Sequence, residues 1–123
     1  WLRKYIFPGA YSPALSEVFT ALERAGLWAA DVELLRVHYA MTLHQWDQRF
    51  QANRARIAAM YDERFCRMWE FYLISAEMMF RTGSQLVFQM QIAGRRDAVP
   101  IVRDYVTDVQ RQYRTTEPSR LSA

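Results

Sequence analysis

Two short stretches in which apolar and polar residues alternate, separated by residues 38–83, constrain the fold of this chain more than anything else in it. In residues 84–93, Leu86, Phe88, Met90 and Ile92 alternate with Gln85, Gln89 and Gln91, and only Val87 is out of step. That period of two belongs to a strand covered on one face. Residues 27–37 alternate less regularly, because Trp28, Val32, Leu34 and Val37 are interrupted by Asp31, Glu33 and Arg36, which suits a strand open on one side. A ribbon of two strands is marginal in water, so the pair needs another strand or a covering layer. The pattern therefore predicts part of an α/β fold.

The rest of the chain reads as helix. Ser12 and Pro13 suit an N-cap and first turn, Leu15, Val18, Phe19 and Leu22 recur at helical spacing, and Gly26 supplies a left-handed stop, which predicts a helix over 13–25. A second helix is predicted over 39–52 and a third over 54–82. In the third, Ile57, Tyr61, Phe65, Met68, Tyr72, Ala76, Met79 and Phe80 form one apolar stripe ended by Gly83. Residues 1–11 read as a loop, about 100–113 as a short helix, and 114–123 as a disordered tail.

With 51% hydrophobic residues the chain has material for a core, yet no apolar run approaches the roughly 20 residues that cross a bilayer. No signal peptide begins it. Cys66, the single cysteine, has no disulfide or metal-spaced partner and reads as a small buried residue in a reducing compartment. The net charge of +3 comes almost wholly from arginine. Such a balance suits anionic phosphates, but Arg49, Arg54, Arg56, Arg64 and Arg67 interleave with Asp47, Asp62, Glu63 and Glu70 as on a solvated helix face, and Glu63 and Arg67 stand at i,i+4. No nucleic-acid signature accompanies the charge. His38 and His44 lack ligand-spaced partners, so no metal site is predicted; His38 is expected to help the turn before Tyr39, and His44 to be solvated.

Five blocks carry a resemblance: Lys4-Tyr5-Ile6-Phe7-Pro8-Gly9, Arg36 to Trp46, Tyr61 to Phe65 with Arg67-Met68-Trp69, Phe71-Tyr72-Leu73, and Gln85 to Gln91. In this order they resemble the C-terminal part of the cyclopropane-fatty-acyl-phospholipid synthases and mycolic acid cyclopropane synthases, over residues 1–105. The resemblance implies that 27–37 and 84–93 are the last two, antiparallel strands of a class I (Rossmann-like) S-adenosylmethionine methyltransferase sheet, with a mostly helical insertion covering the lipid site. Residues 1–113 would be the C-terminal part of that catalytic domain. Gly9, Gly26, Gly83 and Gly94 are too scattered to form the glycine-rich cofactor turn, and the chain opens on Trp1, so it is expected to be a piece of a longer protein. Alone it should neither bind S-adenosylmethionine nor turn over.

Tyr39 falls between the first strand and the next helix, where an ordinary half-buried tyrosine would also fit. The resemblance implies that it orients a bicarbonate beside the reacting methyl group. Methyl transfer to an alkene leaves a carbocation, which must lose a proton to a base before the ring closes. Phe7, Leu43, Ala76 and Phe80 correspond to the acyl-tunnel wall, although a core face has the same signature; Leu43, four residues after Tyr39, shares its helical face.

The implied function is a cyclopropane fatty acid synthase acting on the cis double bond of phospholipid acyl chains. Its expected partners are an unsaturated phospholipid at the membrane surface and the N-terminal catalytic portion, with homo-oligomerisation left open and nucleic acid excluded. The expected location is cytoplasmic, peripheral to the inner membrane. Rival readings are a fatty-acid C-methyltransferase without cyclisation, a separate lipid-binding or regulatory subunit acting in trans, and an unrelated helical interaction module.

Overall fold

The two alternating segments pair with each other. In the computed structural model, which describes residues 1–83 and 85–116, β1 (Trp28–Leu35) runs antiparallel to β2 (Val87–Ala93), from Trp28 opposite Ala93 to Leu35 opposite Val87. The register slips between Ala29 and Asp31, so Ala30 is an extra residue and the side chains change phase there. That bulge is why the alternation of this segment is irregular in sequence.

Both strands are shorter than predicted. Arg36 and Val37 turn into the next helix, and Gln85 is still tied to the preceding one through its N–H, which donates to the Met79 carbonyl at 3.4 Å. Ser84, predicted as the start of the second strand, lies outside the described residues.

The helices follow the apolar spacing, with corrections at their ends. The predicted loop at the start holds a short helix, α1 (Leu2–Tyr5), because Leu2 and Ile6, four apart, pack together on the core. α2 (Leu15–Arg24) begins two residues later than predicted, with Ala14 and not Ser12 as its cap. The Glu17 carboxylate decides this: it accepts from the Ala14 N–H at 2.6 Å and from the Tyr11 hydroxyl, so the glutamate half of a capping box fixes the start. Gly26, at φ 67°, closes the helix as expected.

α3 (His38–Ala52) matches its prediction closely. The predicted helix over 54–82 is instead two, α4 (Arg54–Met60) and α5 (Glu63–Thr82). Asp62 breaks the run, since its carboxylate accepts the Phe65 N–H at 2.6 Å and so begins a new helix. Gly83 then ends α5 at φ 92°. The last helix, α6 (Asp104–Thr116), starts later than predicted and includes residues 114–116 of the expected tail; 117–123 lie outside the described residues. Arg103 ties its start to the sheet by an ion pair with Asp31, and the Tyr105 hydroxyl donates to Gln91.

The core forms where α3 lies on α5. Leu43 and Phe50 from one meet Cys66, Tyr72, Leu73 and Ala76 from the other. Each fully buried leucine, Leu43 and Leu73, contributes about 1.5–3 kcal/mol. Cys66 is buried and free, as its sequence context suggested. On the outer face Arg54 bridges Glu63 at 3.1 Å and Glu70 at 2.9 Å, so Glu63 turns to Arg54 and not to Arg67. No described helix is long and apolar enough to cross a membrane.

Candidate functional site

Helical spacing on α5 puts Tyr72, Ala76 and Phe80 one above another, at i, i+4 and i+8. Opposite them stand Leu2 and Phe7 from the first segment, then Ser12 to Leu15 and Glu17 leading into α2. Residues Gln85 to Phe88 close the side where the chain enters β2, and Tyr39 projects from the first turn of α3. Together they enclose a cavity of about 710 Å³. That is within the usual range for a small-molecule or acyl site.

Tyr39 is fixed by aromatic neighbours. Its ring centroid is 4.8 Å from Phe80, tilted 46°, and 6.0 Å from Trp46, nearly edge-on. Among the described residues its hydroxyl has no hydrogen-bond partner, so it remains available to a ligand. Phe7 is half exposed and meets Tyr72 edge-on at 5.8 Å.

Four of the five predicted residues, Phe7, Tyr39, Ala76 and Phe80, thus share one cavity wall. Leu43 does not. It is fully buried in the core cluster with Tyr72 and Ala76, and those two present their other sides to the cavity. A helical face shared with Tyr39 did not suffice, because the face of α3 that carries Leu43 is covered by α5.

Tyr72 was missed by sequence reasoning. The signal was its position four residues before Ala76 on the same stripe, which also fits plain core packing. Burial pushes the Tyr72 phenol above its ordinary range, and the nearby Tyr39 adds to this. At the cavity rim, hydrogen bonds from Tyr11 and the Ala14 N–H hold the Glu17 carboxyl below its usual range.

His44 is exposed, as expected, and its ring also meets two polar neighbours: its Nδ1 lies 3.3 Å from Glu77 and its Nε2 3.1 Å from Gln48. Among the described residues no group of three His, Cys, Asp or Glu side chains could hold a metal. A second, more open concavity of about 570 Å³ beside Trp1, Phe65 and Phe71 contains none of the predicted residues.

The sequence profile described as mycolic acid cyclopropane synthetase matches residues 1–90. The chain belongs to this family. Similar to it is a tuberculostearic acid methyltransferase of Mycobacterium tuberculosis, 42% identical over 91 residues, covering 72% of this chain and 21% of the relative. A sphingolipid C9-methyltransferase of Gibberella zeae is 37% identical, covering 73% and 18%. Among solved structures, a mycolic acid cyclopropane synthase in complex with SAH and CTAB superposes with a TM-score of 0.73 at 30% identity, covering 75% of this chain and 32% of that one. The chain therefore spans about a fifth of the length of the curated relatives it matches. The pairing of β1 with β2 around a helical insertion is that of the class I methyltransferase fold of these cyclopropane synthases, and membership in the family removes the reading of an unrelated helical module.

Proposed function

We propose that this chain is the lipid-site portion of an S-adenosylmethionine-dependent cyclopropane fatty acid synthase. The observation that carries the reading is the single cavity shared by Phe7, Tyr39, Ala76 and Phe80 in a member of this family. Its wall is more apolar than polar, with Ser12, Glu17 and Gln85 among its lining, and the apolar part suits an acyl chain, since each methylene drawn from water contributes about 0.8 kcal/mol.

The residues present do not fit S-adenosylmethionine. Gly9 lies in a loop, Gly26 follows α2 and Gly83 caps α5, and the link from β1 to α3 is Arg36-Val37, with no glycine to bring the backbone close to a cofactor. The rest of the protein would hold that cofactor.

A small oxyanion fits better, because the free Tyr39 hydroxyl is a donor within an apolar cavity. Bicarbonate held there would supply the base for the proton lost before ring closure. Tyr39 would orient it by donating its O–H, while Phe80 and Trp46 keep the phenol from swinging away. The cavity would seat the alkene with its chain along Phe7, Ala76 and Phe80 and exclude water from the cation. The substrate would be an unsaturated phospholipid met at the cytoplasmic surface of the inner membrane, without nucleic acid; homo-oligomerisation is compatible with this role.

The test is Tyr39→Phe in the full-length protein. Turnover should fall by about 10²–10⁴, the range for proton-transfer catalysis, with cofactor affinity nearly unchanged. Near wild-type turnover removes Tyr39 from the chemistry. A second reading is favoured by the names of the curated relatives, which are methyltransferases: the same site could methylate the alkene without closing a ring. Proton NMR of the lipid product separates the two, since only cyclopropanation yields ring protons. A separate subunit acting in trans would instead restore activity when mixed with a catalytic chain.

A further inference from the structure

One hydroxyl in the cavity wall is unused by the fold. Tyr72 is only 6% exposed, and its ring is gripped by the edge of Phe7 at 5.8 Å and by Trp69 at 5.1 Å. Neither contact engages the oxygen, which has no hydrogen-bond partner among the described residues. Yet no side-chain oxygen or nitrogen of the described residues is both wholly occluded and unpaired. The Tyr72 oxygen is therefore not wholly occluded, and the side chain that carries it lines the cavity.

A phenylalanine would fill this space without the cost of removing a hydroxyl from water. The hydroxyl thus has no packing role. Tyr39 brings a second unpartnered phenol to the same cavity from α3; of the other side chains that line it, Ser12 and Gln85 can also donate, and the Glu17 carboxylate is held by the Tyr11 hydroxyl and the Ala14 N–H. Two donors from different helices fix the orientation of a small oxyanion, where one would let it pivot.

We propose that Tyr72 is a second hydrogen-bond donor to the oxyanion held at Tyr39. The inference rests on the reading of Tyr39 given above. Burial favours the neutral phenol of Tyr72, which keeps it a donor and prevents it from repelling an anion.

The experiment measures turnover of the full-length protein against added bicarbonate for wild type, Tyr39→Phe and Tyr72→Phe, with melting temperature and lipid KM measured alongside. For Tyr72→Phe, turnover at low bicarbonate should fall about 10- to 100-fold, the scale of a hydrogen bond to a charged group. The bicarbonate concentration for half-maximal rate should rise at least about tenfold by the same reasoning. Lipid KM and melting temperature should stay unchanged. If Tyr39→Phe shifts the bicarbonate dependence and Tyr72→Phe does not, the role of Tyr72 is overturned and that of Tyr39 stands. If neither shifts it, the oxyanion reading itself fails. A Tyr72→Phe variant that loses its melting transition would assign the hydroxyl to the fold and overturn the proposal as well.

Discussion

Tyr39 rests on Phe80, their ring centroids 4.8 Å apart and tilted by 46°. The contact joins the first turn of α3 to the last turns of α5, so the aim of the Tyr39 hydroxyl depends on a side chain 41 positions away (80 − 39).

Removing that support should separate positioning from folding. Phe80 is only partly buried, so Phe80→Ala should cost about 2 kcal/mol, below the 3–5 kcal/mol of a fully buried phenylalanine. Turnover of the folded protein should fall roughly tenfold or more, because a displaced hydroxyl loses its aim. Urea unfolding and steady-state kinetics on the same preparation check both numbers; undiminished kcat would mean that Trp46 alone orients the tyrosine.

Leu43 makes the opposite prediction. As a wholly buried core residue, Leu43→Ala should destabilise by about 2–5 kcal/mol, and Leu43→Trp should strain the core by about 1–3 kcal/mol or more. The specific activity of the folded fraction should survive both changes. Activity lost at an unaltered melting temperature would return Leu43 to the acyl tunnel.

The break between α4 and α5 depends on one carboxylate. Asp62→Ala should lower stability by about 0.5–2 kcal/mol, and Asp62→Ser or Asp62→Asn should restore most of it, since either side chain can accept the Phe65 N–H. Thermal denaturation of the three variants checks the order.

Alkaline pH should expose the burial of Tyr72. Its phenol titrates higher folded than unfolded, where the ordinary value is 10.0. Above pH 10 the unfolded chain therefore loses a proton that the folded chain keeps, and stability declines as pH rises through that window. Below pH 10 both states hold the proton and the contribution is constant. Denaturant titrations between pH 8 and 11 should show a decline that Tyr72→Phe makes shallower; identical slopes would mean that the buried phenol does not contribute.

Periodicity made the elements legible. The pairing of β1 with β2, the α3 helix and the stop at Gly83 all follow from local chemistry that a sequence displays. The break at Asp62 was hidden because Tyr61 and Phe65 continue the apolar stripe, and a single cap then outweighs the stripe. The start of α2 was displaced because Glu17 competes successfully with Ser12 for the cap. In the site, the resemblance singled out Tyr39, Phe7, Leu43, Ala76 and Phe80, but that Tyr39, Phe7, Ala76 and Phe80 line one cavity with Tyr72 while Leu43 is in the core turns on which side of α5 the cavity lies. That is a tertiary fact, and side chains on a helix facing core or cavity look alike in sequence.

The edge-on meeting of Phe7 with Tyr72 also bears on the order of folding. The two residues are 65 positions apart (72 − 7), so their contact closes a long loop, and closure entropy must be met before the cavity wall yields any return. The pairing of α3 with α5 spans less chain and supplies the rigid surface on which the first segment can land. The site should therefore be completed late on the folding path, by docking of an aromatic segment onto a helical pair already in place, and its opening should be among the first events when the protein begins to unfold.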